Sequence, residues 1–533
     1  MWARFGCRVN VLGASSVCTN NNSMTSVSHA SRERWERSVA WALVGVFGVV
    51  NSWAALRHVM WRDEWMPLNT VRFSRDAAEW FAEIKYIGRW AFFGMAWIVE
   101  QLGGHPWLFK LVIVAISCLG AFVVLRYSPF TRPQSVLLAF GYYPFYEYGT
   151  ILRDYSIVWT ATVGCCALLA GTRWRPLAFC AVLAVLFQTN PFGLGLACAL
   201  GSAFVFDSWR AGQLTVHGLR RPSVWCGALV AIASFLIAFK SMTPPPEIAE
   251  IVLGGPLRSD SHLVRLQESL AFPFRAWFPI PLFGGWNSQI LDAWPWIQIA
   301  LGAIVASLVI AVVRTEATAL VLFSMGMLGI GAILCHMPGT ALRYHGPYFL
   351  LLVCAYWIKE KRRPDLPTPG DVWPLFRWID ANRACLFTGL LWVHAIVGCV
   401  FLCQEQVVPF SGARQAAEII RSNEPPDVAI VGDPDYGMIS LCGYLDRPVF
   451  IASRREPGAF TRVDKKRRGT LLSAEELSQV VGDKLREERR DIVLVTIYPV
   501  SMPREIGTLL GVTNSITDER YHIYRIRYRS AVE

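Results

Sequence analysis

Five short stretches of the chain hold residues that can do chemistry. The first is "WRDEWMPL", Trp61 to Leu68, where Asp63 and Glu64 follow an apolar run. Two adjacent carboxylates beside a membrane must be solvated or paired, or one of them serves as a base. Asp63 is the preferred candidate to deprotonate a hydroxyl. Glu64 is second, because neighbouring side chains diverge and rarely serve the same atom. Arg62 offers the plain alternative, a neutralised loop start. The second stretch is "GGHPWLFKL", with His105 at the mouth of a turn; it reads as a local cap or as a ligand to phosphate or metal.

The third stretch, "FYEYGTILRDYSI", places Glu147, Arg153 and Asp154 between two apolar runs. Charges at a turn avoid the hydrocarbon core, so a turn at the membrane face is expected from Glu147 to Asp154. Arg153 then either neutralises Asp154 or Glu147, or clamps a phosphate with Tyr155 beside it. The fourth, "CHMPGTALRYHGPYFLL", carries Arg343 and His345 directly before another apolar run. An arginine there suits the charge that develops on a leaving phosphate, or anchors a lipid headgroup. The fifth, "FQTNPFG", sets Asn190 in a polar break that closes the same cavity or turns the chain. The pair His336 and His345 has no recognised metal-ligand spacing.

These residues need apolar elements to hold them. The chain has 533 residues, 53% hydrophobic and only 17% charged, with 22 Trp, and a mean hydropathy of +0.36. That composition excludes an ordinary soluble domain and predicts a polytopic α-helical membrane protein. The formal charge of +11 is scattered between apolar runs, so it argues for membrane loops and against nucleic acid as a partner. The 14 cysteines form no CxxC pattern and mostly sit in apolar runs, as buried thiols do.

About eleven spans are expected: 39–56, 106–125, 135–146, 155–171, 176–187, 192–206, 224–239, 296–313, 317–335, 348–358 and 384–403. Basic residues fall on alternate loops, at Arg126 and Arg132, Arg173 and Arg175, Arg210 to Arg221, Arg314, and "KEKRR" at Lys359 to Arg363. The positive-inside rule then places the N-terminus in the cytoplasm and the C-terminus outside. Residues 1–38 are expected to be an unstructured cytoplasmic segment without a cleavable signal, with Met24 a candidate start. Residues 39–403 form the membrane domain, with long outer loops at 57–105 and 241–295. In the first loop an interfacial amphipathic helix presents Trp80, Phe81 and Ile84 on one face and Glu79, Glu83 and Arg89 on the other. The second is rich in Pro and Trp, with "TPPPE" a rigid stretch.

Residues 404–533 read as a small α/β domain. "DVAIVGD", "RPVFIAS" and "DIVLVTI" are strands, and helices lie near Tyr436–Tyr444 and from Ser473 onward. "VGDPDYG" is not a phosphate-binding glycine loop. The topology gathers Asp63, Glu64, His105, Arg153, Asn190, Arg343 and His345 at one membrane face, although they are remote in sequence.

The order of these parts resembles the GT-C membrane glycosyltransferases, which include protein O-mannosyltransferases and bacterial aminoarabinose transferases. The similarity rests on "RDE" after the first span, the interfacial helices, "HPWLFKL", the aromatic-Arg-x-Tyr turn "YEYGTILRDYSI" and "RYHGPYFLL", over roughly 39–358. It departs where Trp107 stands in place of a second proline and in the text around the acidic pair. The resemblance implies an inverting transferase of the bacterial inner membrane, taking a sugar from polyprenyl phosphate at the periplasmic face. It would give Asp63 the base role and Arg153 and Arg343 the phosphate. Expected partners are the lipid-linked sugar, the bilayer and an acceptor glycan, lipid or protein. The cofactor stays open, a divalent cation bridging Asp63 and phosphate being one option. The competing readings are a lipid or polysaccharide transporter or flippase, a polysaccharide polymerase or ligase, and a non-catalytic scaffold.

Overall fold

Apolar runs of about 20 residues can satisfy their backbone inside a bilayer only as helices, and helices dominate the computed structural model of the protein. It describes residues 22–243, 262–282, 286–336, 341–362, 373–462, 464, 471–501 and 505–528. The first half runs through α1 (Asn22–Arg57), α2 (Arg62–Arg72), α3 (Ala77–Ile84), α4 (Trp90–Gln101), α5 (Pro106–Tyr127) and α6 (Arg132–Ala139). A π-helix (Tyr142–Thr150) follows, then α7 (Tyr155–Leu169), α8 (Pro176–Phe187), α9 (Pro191–Arg210), α10 (Val216–Leu219) and α11 (Pro222–Met242). After α12 (His262–Trp277) come α13 (Pro295–Val313), α14 (Ala317–His336), a 3₁₀ turn (Leu342–Tyr344), α15 (Gly346–Arg362) and α16 (Pro374–Val407).

Among the described residues seven helices are long and apolar enough to cross a membrane: the Glu36–Arg57 part of α1, and α5, α9, α11, α13, α14 and α16. α7 and α8 are apolar but shorter. The count of eleven therefore divides into these nine and two further runs that behave differently. The run at 135–146 breaks at Gly141, α6 ending before the π-helix begins. The run at 348–358 lies in α15, whose residues from Gly346 to Lys359 are all buried. A helix walled by protein needs neither full length nor a lipid-facing surface. The expected span 39–56 falls in the Glu36–Arg57 part of α1, whose helix starts earlier, at Asn22, and residues 1–21 and most of "TPPPE" lie outside the described residues.

The π-helix is the aromatic centre of the bundle. Tyr142, Tyr143, Tyr146 and Tyr148 are fully buried. Tyr142 and Tyr146 pack on Phe401 of α16, at 5.3 and 5.4 Å between ring centroids. Asn51 of α1 pins the wide turn by donating to Phe145 O (3.0 Å) and Thr150 Oγ1 (3.1 Å).

The C-terminal part contains α17 (Ala413–Asn423), β1 (Ile430–Asp433), α18 (Asp435–Leu445), β2 (Val449–Ile451), β3 (Glu456–Gly458), α19 (Ala474–Glu488), β4 (Ile492–Thr496), β5 (Gly507–Val512) and β6 (His522–Ile526). The three expected strands are β1, β2 and β4. They form the parallel centre of a six-stranded sheet of order β3-β2-β1-β4-β6-β5. β3, β5 and β6 add antiparallel edges. α19 opens at Ser473, whose hydroxyl accepts from Glu476 N–H while Glu476 reaches back to Ser473 N–H, a reciprocal cap.

α2 is the joint between bundle and sheet. Asn69 donates to Ile439 O (2.8 Å) and Ala459 O (2.9 Å). Arg62 pairs with Asp518 at 2.9 Å, and its N–H donates to buried Glu519. Tyr444 accepts from Met60 N–H. On the bundle side, fully buried His58 bridges Glu64 (2.8 Å) and Glu405 of α16 (2.5 Å). Burial works against its charge, but Glu405 and then Glu64 outweigh it and push the imidazole up to about 9.

His58 therefore stabilises the folded chain fully below its unfolded value of about 6.5, and that contribution is lost as pH rises through about 9. The midpoint of thermal unfolding in detergent should fall between pH 6.5 and 9. His58→Gln should lower the midpoint and remove that part of the pH dependence. An unchanged slope in the variant would contradict the bridge.

Candidate functional site

The site is assembled where the chain leaves α1, α6 with the π-helix, α8 and α14. Trp61 is extended and caps α2, and its N–H donates to Glu64 Oε2 at 2.9 Å. Glu64 also accepts from Leu152 N–H at 2.5 Å and from His58. It is wholly buried, and these three bonds fix α2 against the 151–154 turn. Asp63, one residue earlier, points the other way and keeps 30% of its side chain exposed.

Asp63 meets both arginines singled out in the sequence. Arg153 Nη2 donates to Asp63 Oδ2, and Arg343 Nη2 lies 3.6 Å from the same oxygen. The two guanidinium groups share one ring: Arg153 sits 4.8 Å and Arg343 5.3 Å from the centroid of Trp61. Arg343 also lies 5.1 Å from the Trp286 centroid and donates to Tyr344 Oη at 2.8 Å. Stacking on π-faces suits guanidinium groups and partly offsets their burial. Arg153 Nε and Nη1 and Arg343 Nε are nonetheless buried without a hydrogen-bond partner. Unmade bonds from buried cations are costly. Two cations and one carboxylate leave an excess positive charge and unmade donors at this point.

Asp154 answers a different need. Arg89 grips it in two bonds of 2.9 and 3.0 Å. Asn190 Nδ2 donates to it at 3.0 Å while Asn190 Oδ1 caps α9 at Gly193 N–H. The pairs Arg153–Asp154 and Arg153–Glu147 are thus replaced by Arg153–Asp63 and Arg89–Asp154. Glu147 lies inside the π-helix and not in a turn, so the turn is confined to 151–154. Its Oε2 accepts from Tyr142 (2.9 Å) and Trp286 Nε1 (3.2 Å). Trp286 meets Trp61 edge-on at 4.9 Å, so Glu147 supports the aromatic wall beneath Arg343.

The remaining candidates lie around this centre. Tyr155 starts α7 and stacks on Tyr148 at 5.0 Å. His345 is fully buried against Phe272 (4.1 Å), with neither ring nitrogen hydrogen-bonded. Burial, with Arg275 and Arg343 nearby, holds its imidazole neutral, well below the usual range. His105 is exposed at the start of α5 and stacks on Trp107; its contacts do not reach Asp63. Among the described residues no three His, Cys, Asp or Glu side chains form a metal-binding group. A cation at Asp63 would have one carboxylate that two guanidinium groups already neutralise, so these residues do not fit a resident cation.

Trp61, Trp286, Tyr344 and Arg89 carry as much of the site as the charged candidates. Arg89 was read as part of the polar face of one helix. That helix ends at Ile84, and Gly88, at φ +70°, turns the chain so that Arg89 caps α4 and enters the bundle. The glycine before Arg89 was the available signal.

No family model matches the chain, and no curated protein matches it. Among solved structures it is similar to the electron cryo-microscopy structure of the arabinofuranosyltransferase AftD from Mycobacteria, at 13% identity and a TM-score of 0.36. The match covers 85% of this chain and 35% of that one, so the chain spans about a third of that protein's length. A similarity this distant identifies no functional residue.

Arg89→Met leaves Asp154 buried and short of its cation, and should destabilise the protein by about 3–5 kcal/mol. Arg89→Met with Asp154→Leu should recover most of the loss, measured by thermal unfolding in detergent. Equal loss in the single and double variants would show that the pair is not the cause.

Proposed function

We propose that the protein is a multi-pass membrane glycosyltransferase of GT-C type. It moves a sugar from a polyprenyl-phosphate donor to an acceptor hydroxyl on the periplasmic face, with inversion. The observation that carries the reading is the pair Arg153 and Arg343, stacked on one tryptophan with Asp63 between them and buried N–H groups left over. The order of sequence motifs that resembles the GT-C enzymes supports it as well.

The donor's lipid tail lies among the apolar helices, and its phosphate takes the N–H groups that have no protein partner. Guanidinium forks match phosphate oxygens in geometry and charge. As phosphate binds, the arginines turn from Asp63 toward it, and the carboxylate is released to face the acceptor. The acceptor oxygen attacks the anomeric carbon from the side opposite the phosphate. Its proton passes to Asp63. The bond between the anomeric carbon and the phosphate oxygen breaks, and its electron pair stays on the phosphate. Arg153 and Arg343 stabilise the negative charge that grows there. Holding donor and acceptor in line supplies a further large share of the rate. The sheet domain, docked on α2 beside Asp63, guides the acceptor.

Membranes carrying the protein should transfer radiolabel from a polyprenyl-phosphate sugar. Asp63→Asn should reduce the rate at least 100-fold, following the usual size of general-base effects, while donor affinity is kept or raised because the arginines no longer have to leave a carboxylate. Arg343→Gln should raise the donor requirement and lower the maximal rate. Full activity in Asp63→Asn removes the base assignment. Absence of transfer from the folded wild type to any acceptor tried removes the enzyme.

A further inference from the structure

A cavity of about 400 Å³ opens along α12 and has no part in the chemistry above. α12 contributes Gln267, Glu268, Phe272 and Arg275 to its wall, and Asn287 and Gln298 close the far side. Arg275 is 7% exposed. Its Nη2 donates to Asn287 O and Asp292 Oδ2, both at 3.2 Å. Its Nε is buried without a hydrogen-bond partner. A cavity walled by a buried cation with an unmade bond is a built site rather than a surface dent.

The wall is shared with the arginine pair. Phe272 stacks on His345, two residues from Arg343. Asn287 Oδ1 accepts from Leu342 N–H at 3.1 Å, and its neighbour Trp286 lies under Arg343. Phe272, Asn287 and Trp286 therefore link the cavity wall to the arginine pair.

The lining selects a chemistry. Glu268 and Asp292 set two carboxylates against the single guanidinium of Arg275, which repels a phosphate. Carboxylates accept, guanidinium donates and amides do both, so groups that both donate and accept are matched around the wall. Hydroxyl groups have that property, and Val264 and Pro295 in the lining offer apolar surface to the C–H groups of a sugar. We propose that this cavity binds a neutral sugar unit of the acceptor, a mono- or disaccharide, and so selects a glycan acceptor. The inference rests on the transferase reading for its place in a reaction, but binding alone tests it.

The full chain in lipid nanodiscs is examined by saturation-transfer NMR with mannobiose and cellobiose as neutral probes and glucose 1-phosphate as the anionic comparator. The wild type should transfer saturation to at least one disaccharide and prefer it to the sugar phosphate. Gln267→Trp, which fills the cavity, should reduce the transfer at least tenfold, and Glu268→Ala should reduce it with the unfolding midpoint unchanged. Arg343→Gln should leave it intact. Absence of transfer to both disaccharides, transfer in Gln267→Trp and Glu268→Ala equal to that of the wild type, or preference for glucose 1-phosphate would overturn the inference. Disaccharide binding that Gln267→Trp abolishes, beside an Asp63→Asn variant with full transferase activity, would keep the cavity and remove the proposed reaction.

Discussion

A charge held at the end of a membrane helix must find a partner, because neither lipid nor packed protein solvates it. That constraint organises this molecule. Asp154 takes Arg89 and Asn190, Glu64 takes His58 and two backbone N–H groups, and Glu519 takes Arg62 N–H with Ser411 and Ser440. Apart from Trp61 N–H, the cap of the same helix as Glu64, the partners come from other segments, so each buried carboxylate ties separate parts of the chain together. The bundle, α2 and the sheet domain are joined by these ties as much as by apolar packing.

Arg153 and Arg343 break the pattern. Asp154 and Arg89 are matched one to one, but here two guanidinium groups share one carboxylate and one aromatic ring. The mismatch is stable because Trp61, Trp286 and Tyr344 supply π-faces and a hydroxyl, and because the surrounding rings are held rigidly. Glu147 contributes from below by fixing Trp286. A site with surplus positive charge and preset donors is pre-organised for an anion, and pre-organisation reduces the cost of binding one.

The sequence made the membrane architecture legible because hydrophobic runs have a long, redundant signal. Nine of the expected runs are the apolar helices. The run at 135–146 is interrupted at Gly141 and by the wide turn of the π-helix, and the run at 348–358 lies in a helix buried throughout. The parallel strands β1, β2 and β4 were visible as short apolar runs. The edges β5 and β6 carry mixed residues, with Arg525 and His522 among them, and their pairing is long-range. At the site, charged residues stood out as exceptions in an apolar chain, whereas Trp61 and Trp286 were hidden among 22 tryptophans. Adjacent carboxylates could not be separated by type. Only the fold gives Glu64 a buried structural task and leaves Asp63 facing the arginines. The partner of Arg153 lies 90 residues away, beyond any local pattern.

The central claim is that Trp61, Arg153 and Arg343 form one anion cradle opposite Asp63. Electron cryo-microscopy of the full chain in nanodiscs with a polyprenyl phosphate tests it directly. The account predicts phosphate density within hydrogen-bond reach of both guanidinium groups, with Asp63 turned away from them. Density at any other helix end, with the Arg153–Asp63 contact unbroken, would contradict it.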